Sequence, residues 1–146
     1  MASPRTVLLQ AVEACLARIQ VADGYRTDVG SDVTLEPAPA LASEKPIGLL
    51  TVVWLRQERP VDSAVLRTHR LTTFRVVAKI PADMDEAQER VDALVSDIER
   101  ALDGQQAEFP PRYSAPVYQF AEPLAAEPEA GYVGAAVTFT SNIPKQ

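Results

Sequence analysis

The chain of 146 residues has little of the chemistry that enzymes and metal sites usually need. It contains one cysteine, Cys15, and one histidine, His69. A lone cysteine cannot form an internal disulfide, and these two residues are too few for a zinc site. The composition therefore predicts a protein of a reducing compartment that holds no structural zinc ion.

Glycine is also scarce, and its 6 residues stand singly along the chain. No glycine-rich loop that could hold a nucleotide phosphate is present in the sequence. The longest apolar run, residues 47–55, is interrupted by Gly48 and Thr51, and it is far shorter than the roughly 20 apolar residues that cross a bilayer. The N-terminal residues lack the solid apolar stretch of a signal peptide. We expect a soluble protein that stays where it is made.

The charged residues are unevenly distributed. The formal net charge is −6, with 10 basic and 8 acidic residues in 1–80 but 4 basic and 12 acidic residues in 81–146. An acidic chain repels a phosphate backbone unless its basic residues gather in one patch. The polarised charge would instead allow like subunits to meet through opposite faces.

Two amphipathic helices are predicted. Ser3 followed by Pro4 favours a helix start, and apolar residues then recur at three- and four-residue spacing up to a predicted end near residue 20. The second helix is expected to begin at a capping-box pattern formed by Asp83 and Glu86 and to end at Gly104.

The other regular elements are predicted strands, recognised by alternating or short continuous apolar runs. They are expected at 25–29, 33–35, 47–56, 65–80, 117–120 and 132–140, with proline-rich loops at 36–46 and 57–64. The first two strands would form a hairpin, as would the last two. The polar start of the strand at 65–80 is expected to project beyond the sheet or to lie at its edge.

These elements predict an α+β fold that makes residues 1–146 a single domain. A mainly antiparallel sheet would carry two amphipathic helices packed on one face, with long loops projecting from it. Cys15 is assigned to the core, together with apolar residues of both helices and of the longer strands. That set is Leu8, Val12, Leu16, Ile19, Val52, Trp54, Phe74, Val76, Val91, Leu94, Ile98 and Val137.

The residues offer no convincing catalytic set. His69 lies in an arginine-rich strand half, and Cys15 lies on the apolar stripe of a helix, so neither suits a Ser/Cys–His–acid arrangement. The carboxylates of the second helix are assigned to its solvent-facing arc or its ends: Asp85, Glu86, Glu89, Asp92, Asp97, Glu99 and Asp103. We therefore predict no enzymatic activity and no cofactor, and a function exerted through binding surfaces.

The one local concentration of positive charge lies between residues 56 and 79. A candidate subunit or partner interface is assigned to its first part, which comprises Arg56, Arg59, Arg67, His69 and Arg70. An acidic protein face, solvent and nucleic acid remain open as its counterpart. Strong, salt-sensitive binding to DNA would indicate a nucleic-acid module.

Two segments of the chain resemble the tail-terminator proteins of long-tailed bacteriophages. One is Gly24-Tyr25-x-Thr27-Asp28-Val29-Gly30 after the first helix, and the other is Asp97-Ile98-x-x-Ala101-Leu102 in the second helix. The layout is similar over nearly the whole chain: a helix, a loop, two long strands, a helix and a final hairpin. Both segments point to a fold lineage and not to a catalytic mechanism.

The resemblance implies a structural virion protein of the tail or neck, assembled in the bacterial host cytoplasm, or its equivalent in a phage-like particle such as a gene transfer agent. Such a subunit would form a homo-hexameric ring that caps the tail tube, stops its polymerisation and joins the tail to the head. Its partners would be itself, the tail tube protein and the head connector or stopper protein. No membrane and no sequence-specific nucleic acid is implied, although DNA could pass through the ring.

Other functions stay open at this point. A head–tail connector or tail-completion protein has a similar size and layout, and it would also be a structural protein of the neck or tail. A small enzyme is the alternative from another class, and a monomeric mass with turnover of a substrate would favour it.

Overall fold

The computed structural model describes residues 2–36, 48–82, 86–124 and 131–145. These residues form an α+β fold, as the sequence predicts. In chain order the helices and strands are α1 (Pro4–Leu16), β1 (Val33–Thr34), β2 (Leu49–Glu58), β3 (His69–Pro81), α2 (Ala87–Leu102), β4 (Val117–Pro123) and β5 (Tyr132–Pro144). Among the described residues, no helix is both long and apolar enough to cross a membrane.

The five strands form one sheet in the order β1-β2-β3-β5-β4. Every neighbouring pair is antiparallel except β1 and β2, which are parallel. β3 and β5 pair along their full 13-residue lengths, from His69 opposite Pro144 to Pro81 opposite Tyr132. The predicted mainly antiparallel sheet and its closing hairpin, β4–β5, are confirmed.

Both helices pack on the same face of the sheet, and the core lies between the helices and that face. Alternation along β3 and β5 turns Phe74, Val76, Val137 and Phe139 towards the helices, where all four are buried. Of the predicted core, the following are buried: Leu8, Val12, Cys15, Leu16, Ile19, Val52, Phe74, Val76, Leu94, Ile98 and Val137. Val91 is half-buried and packs against this core.

Trp54 is the exception among the predicted core residues. It is opposite Phe74 in the sheet and therefore on the helix-facing side, yet its side chain is 46% exposed. The Arg5 guanidinium lies over its ring, 5.3 Å from the ring centroid. Alternation correctly assigns a residue to a face of the sheet, but it does not say how far along the strand the helices cover that face.

The predicted hairpin of residues 25–29 and 33–35 is wrong. Only Val33 and Thr34 form a strand, and Val33 lies opposite Leu50 in a parallel pair. The backbone amides of Arg26 and Thr27 donate to a side-chain carboxylate and not to a neighbouring strand. Helix α1 also ends at Leu16, earlier than predicted.

The chain between β2 and β3 differs from the prediction as well. β2 continues to Glu58, and the connection, residues 59–68, contains a short 3-10 turn at Ser63–Val65. β3 begins only at His69 and lies in the middle of the sheet. His69 and Arg70 are therefore paired with β5 and do not project beyond the sheet as we expected.

Two predictions on loops and caps concern residues outside the described ranges. The loop at 36–46 falls there apart from Glu36, which is exposed, and so does Asp83 of the capping box. Glu86 is described and precedes α2 with φ of 57°. At the other end of α2, Gly104 has φ of 71° just beyond the helix, which is the role predicted for it.

Candidate interaction surfaces

The residues that the sequence singled out lie around the connection between β2 and β3. Arg56, Arg59 and Arg67 are exposed, whereas His69 and Arg70 are half-buried. Arg56 forms an ion pair with Glu58 at 3.0 Å. Because both side chains of this pair are substantially exposed, it adds little to the free energy of folding.

His69 serves the fold. Its Nε2 lies 3.0 Å from the carbonyl oxygen of Arg112, so this nitrogen must carry the proton and donate it. Nδ1 lies 2.7 Å from the hydroxyl oxygen of Thr68. The imidazole thus ties the start of β3 to the connection between α2 and β4, and both of its nitrogens are engaged.

Arg70 and Arg59 line a surface cleft of about 510 Å³ beside the connection. Arg70 donates through Nη1 to the carbonyl oxygens of His69, at 2.8 Å, and Leu66, at 3.3 Å. Gln57, Glu58 and Leu66 complete the lining. Arg70 therefore both holds the connection in place and contributes positive charge to the cleft.

Two basic residues that the sequence analysis did not single out join this region. A neighbouring cleft is lined by Arg5, Arg70 and Lys145, together with Gln57 and two prolines. Arg5 donates to Oε1 of Gln57 at 2.8 Å. We call Arg5, Arg56, Arg59, Arg67, Arg70 and Lys145 the basic end of the sheet.

Apolar side chains are exposed at the same place. Val61 is 91% exposed, and Leu55 and Leu66 are also exposed, as is Trp54. Exposed apolar side chains in the same part of a surface as arginine are features of protein-binding surfaces. We call the connection formed by residues 59–68 the β2–β3 arm. Val61 is its most exposed apolar residue.

A second surface lies between α2 and the edge strand β4. A groove of about 290 Å³ has apolar side chains from both elements and the exposed carboxylate of Asp92 from α2. Its principal lining residues are Val91, Val95, Ala121, Pro123, Asp92 and Glu122. A neighbouring cleft is lined by Glu89 and Asp92 together with Arg26 and Gln88. We call this surface the acidic groove; the sequence analysis missed it because it depends on how α2 crosses β4.

Asp97 corrects the assignment of the α2 carboxylates to a solvated face. This residue is only 2% exposed. One carboxylate oxygen accepts from the amide of Arg26 at 2.9 Å, and the other accepts from the amide and the hydroxyl of Thr27 at 2.9 and 2.7 Å. Asp97 thereby holds the loop that follows α1.

A second contact joins the same loop to α2. The Arg100 guanidinium lies 4.6 Å from the ring centroid of Tyr25 and donates to the carbonyl oxygen of Gly24. Gly30 closes the loop against α1, where a Cβ atom would lie 2.6 Å from the carbonyl oxygen of Ala17. The two segments noted in the sequence analysis are therefore one structural unit.

The thiol of Cys15 is buried in the core. Burial is the main reason why its pKa is raised to about 11, so the thiol stays protonated and unreactive at neutral pH. We expect the folded protein to resist iodoacetamide at mildly alkaline pH and the urea-unfolded chain to react fully, as counted by mass spectrometry. Equal modification rates in the two states would contradict the burial of this side chain.

Within the described residues, no group of three or more histidine, cysteine, aspartate or glutamate side chains is placed to hold a metal ion. The geometry of this part of the chain instead offers two surfaces of opposite character, the basic end and the acidic groove. Both surfaces are accessible for contact with another macromolecule.

Comparison with known proteins bears on the fold. No protein-family model matches the sequence, and no curated protein matches it. A solved structure does: the chain shares its fold with a chain in the "Virion of native gene transfer agent (GTA) particle". The TM-score is 0.67, the match covers 99% of both chains, and 16% of the aligned residues are identical. At this identity the likeness shows the common fold alone.

Proposed function

We propose that this chain is a structural subunit of a phage-like particle and that it acts there as a tail terminator. The observation that carries the proposal is the end-to-end match, over 99% of both chains, with a chain of a gene transfer agent virion. The unit formed by the 24–30 loop and Asp97, which carries the resemblance to tail terminators, adds support.

The proposed mechanism is assembly. Copies join through unlike surfaces into a closed homo-hexameric ring, which requires each subunit to carry two different complementary faces. The basic end and the acidic groove meet that requirement. The ring covers the last layer of the tail tube, stops further addition of tube subunits, and presents its other side to the head connector or stopper protein.

The same structural match is compatible with a different position of the subunit in the particle. A head–tail connector or tail-completion protein would also be a virion subunit, because the matched structure is a whole virion. The two proposals differ in what the subunit contacts: a terminator contacts the tail tube directly, whereas a connector contacts the head portal.

Particle imaging and native mass spectrometry test the proposed role. We expect a closed ring of this chain at the head-proximal end of the tail tube, and a ring mass when the subunit is mixed with assembled tubes. The free subunit can remain monomeric if the tube acts as template. Tubes assembled without the subunit should grow beyond their normal length.

Two results would count against the role. A single copy in every context would refute the ring, and a ring bound to the portal but never to the tube would favour the connector.

A further inference from the structure

The β2–β3 arm carries an apolar side chain that its own subunit does not cover. Val61 is 91% exposed and Leu66 is also exposed, and Arg59 and Arg67 lie on the same connection. Leaving aliphatic side chains in water is unfavourable in proportion to their exposed area. The arm thus presents exposed apolar side chains together with two arginines and one exposed carboxylate, Asp62, so its charge is positive on balance.

The acidic groove has the complementary features. It is lined by the apolar residues Val91, Val95, Ala121 and Pro123 and by the exposed Asp92. The volume of about 290 Å³ is enough for aliphatic side chains to enter. Apolar surface meets apolar surface, and arginine meets carboxylate, if the arm enters this groove.

One copy of the chain cannot make this contact with itself. The arm leaves the sheet where β3 begins at His69, whereas the groove lies near Ala135, which is opposite Ala78 of β3. Nine residues of strand separate those levels, or roughly 30 Å at about 3.3 Å per residue. The groove also lies along the edge strand β4, whereas the arm joins β2 and β3, which are nearer the opposite edge of the sheet.

We propose that the β2–β3 arm of one copy docks in the acidic groove of the next copy. The two surfaces differ, so the contact is heterologous, and repeated around an axis it closes a ring. This inference rests on the proposed function, for which it names the contacting surfaces.

Site-directed cross-linking tests the contact directly. Val61→Cys and Ala121→Cys are made as separate variants of the full chain and mixed under the conditions in which the ring forms, free or on tail tubes. We expect a disulfide-linked dimer that contains one copy of each variant. Cys15 is buried and does not compete. The matched control pairs Val21→Cys, another exposed valine, with Ala121→Cys, and it should give no such dimer.

Charge exchange provides a second readout. The double variant Arg59→Glu/Arg67→Glu should weaken ring formation by roughly tenfold at low salt, since two attractive pairs become repulsive. Asp92→Lys/Glu89→Lys should do the same, because these two exposed carboxylates lie together on α2 beside the groove, and combining all four changes should restore the ring. Arg18→Glu is a control, because it reverses an exposed charge that lines neither surface and breaks only an exposed ion pair with Glu108, which adds little to folding.

The outcomes separate the inference from the proposed function. A ring that forms without the Val61–Ala121 cross-link, and without sensitivity to either charge variant, overturns the docking contact but leaves the terminator role standing. Groove variants that block tube binding while the ring stays intact would assign the groove to the tube protein and overturn the inference. Absence of any ring, free or on tubes, would overturn both proposals.

Discussion

Replacing Asp97 with alanine is expected to lower the free energy of unfolding by roughly 2–4 kcal/mol. The carboxylate accepts from the amides of Arg26 and Thr27 and from the Thr27 hydroxyl. Its removal leaves these part-buried donors without an acceptor, and an unsatisfied buried donor costs more than the net value of a hydrogen bond. Urea denaturation followed by far-UV circular dichroism measures the loss.

Asp92→Ala is the matched control for this change. Asp92 is on the same helix but exposed, so its removal should alter stability by less than about 0.5 kcal/mol. A double-mutant cycle with Thr27→Val isolates the part carried by the threonine hydroxyl. Equal losses for Asp97→Ala and Asp92→Ala would show that the carboxylate does not hold the loop.

The two sequence segments that resemble tail terminators are joined in the structure by the hydrogen bonds of Asp97. Arg26 and Thr27 precede the short 3-10 turn at Val29–Ser31, and the Asp97 carboxylate of α2 accepts from both of their amides. Arg100, one turn further along α2, stacks on Tyr25 of the same loop. Without α2, the amides of Arg26 and Thr27 would lose their acceptor. Without the loop, the buried carboxylate of Asp97 would lose its donors.

The larger elements could be predicted because local patterns determine them. The apolar stripe of α2 and the Gly104 stop are local features, and the alternation of β3 and β5 places Phe74 and Val137 in the core as expected. Adjacent strands joined by short connections usually pair antiparallel, and this rule holds for β2–β3 and β4–β5.

The errors arise where distant residues decide the structure. The helical pattern assigns Asp97 to the solvent-facing arc of α2 or its ends, but a loop 70 residues away in sequence donates to its carboxylate and buries it. The residues of that loop favour a strand, yet the amides of Arg26 and Thr27 bond to Asp97 of α2 and not to a neighbouring strand. The alternation of β2 predicts a buried Trp54, because no local pattern shows where the helices cease to cover the sheet.

The candidate site divides in the same way. The run from Arg56 to Arg70 is visible in the sequence, and the structure places two of its members, Arg59 and Arg70, on one cleft. Arg5 and Lys145 come from the two ends of the chain, so only the fold brings them near it. The use of this region as an interface remains a prediction.

The largest loss of stability is expected from Phe139→Ala, at about 3–5 kcal/mol. Phe139 is fully buried at the centre of the core. Its ring stacks on Phe74 with centroids 5.6 Å apart, and the Tyr118 ring meets it edge-on at 6.1 Å. Truncation removes both aromatic contacts and leaves a cavity that the paired strands β3 and β5 cannot close, because their 13-residue ladder fixes their spacing.

Phe120→Ala makes the same chemical change on the adjacent strand β4, where the side chain is 50% exposed. We expect it to cost less than about 1 kcal/mol, because little buried surface is lost and no closed cavity forms. Since proteins of this size are stabilised by only about 5–15 kcal/mol, Phe139→Ala should shift the urea midpoint clearly and Phe120→Ala only slightly. Similar midpoints for the two variants would mean that the ring of Phe139 is not enclosed between the helices and the sheet, and the face assigned to β5 would have to be exchanged.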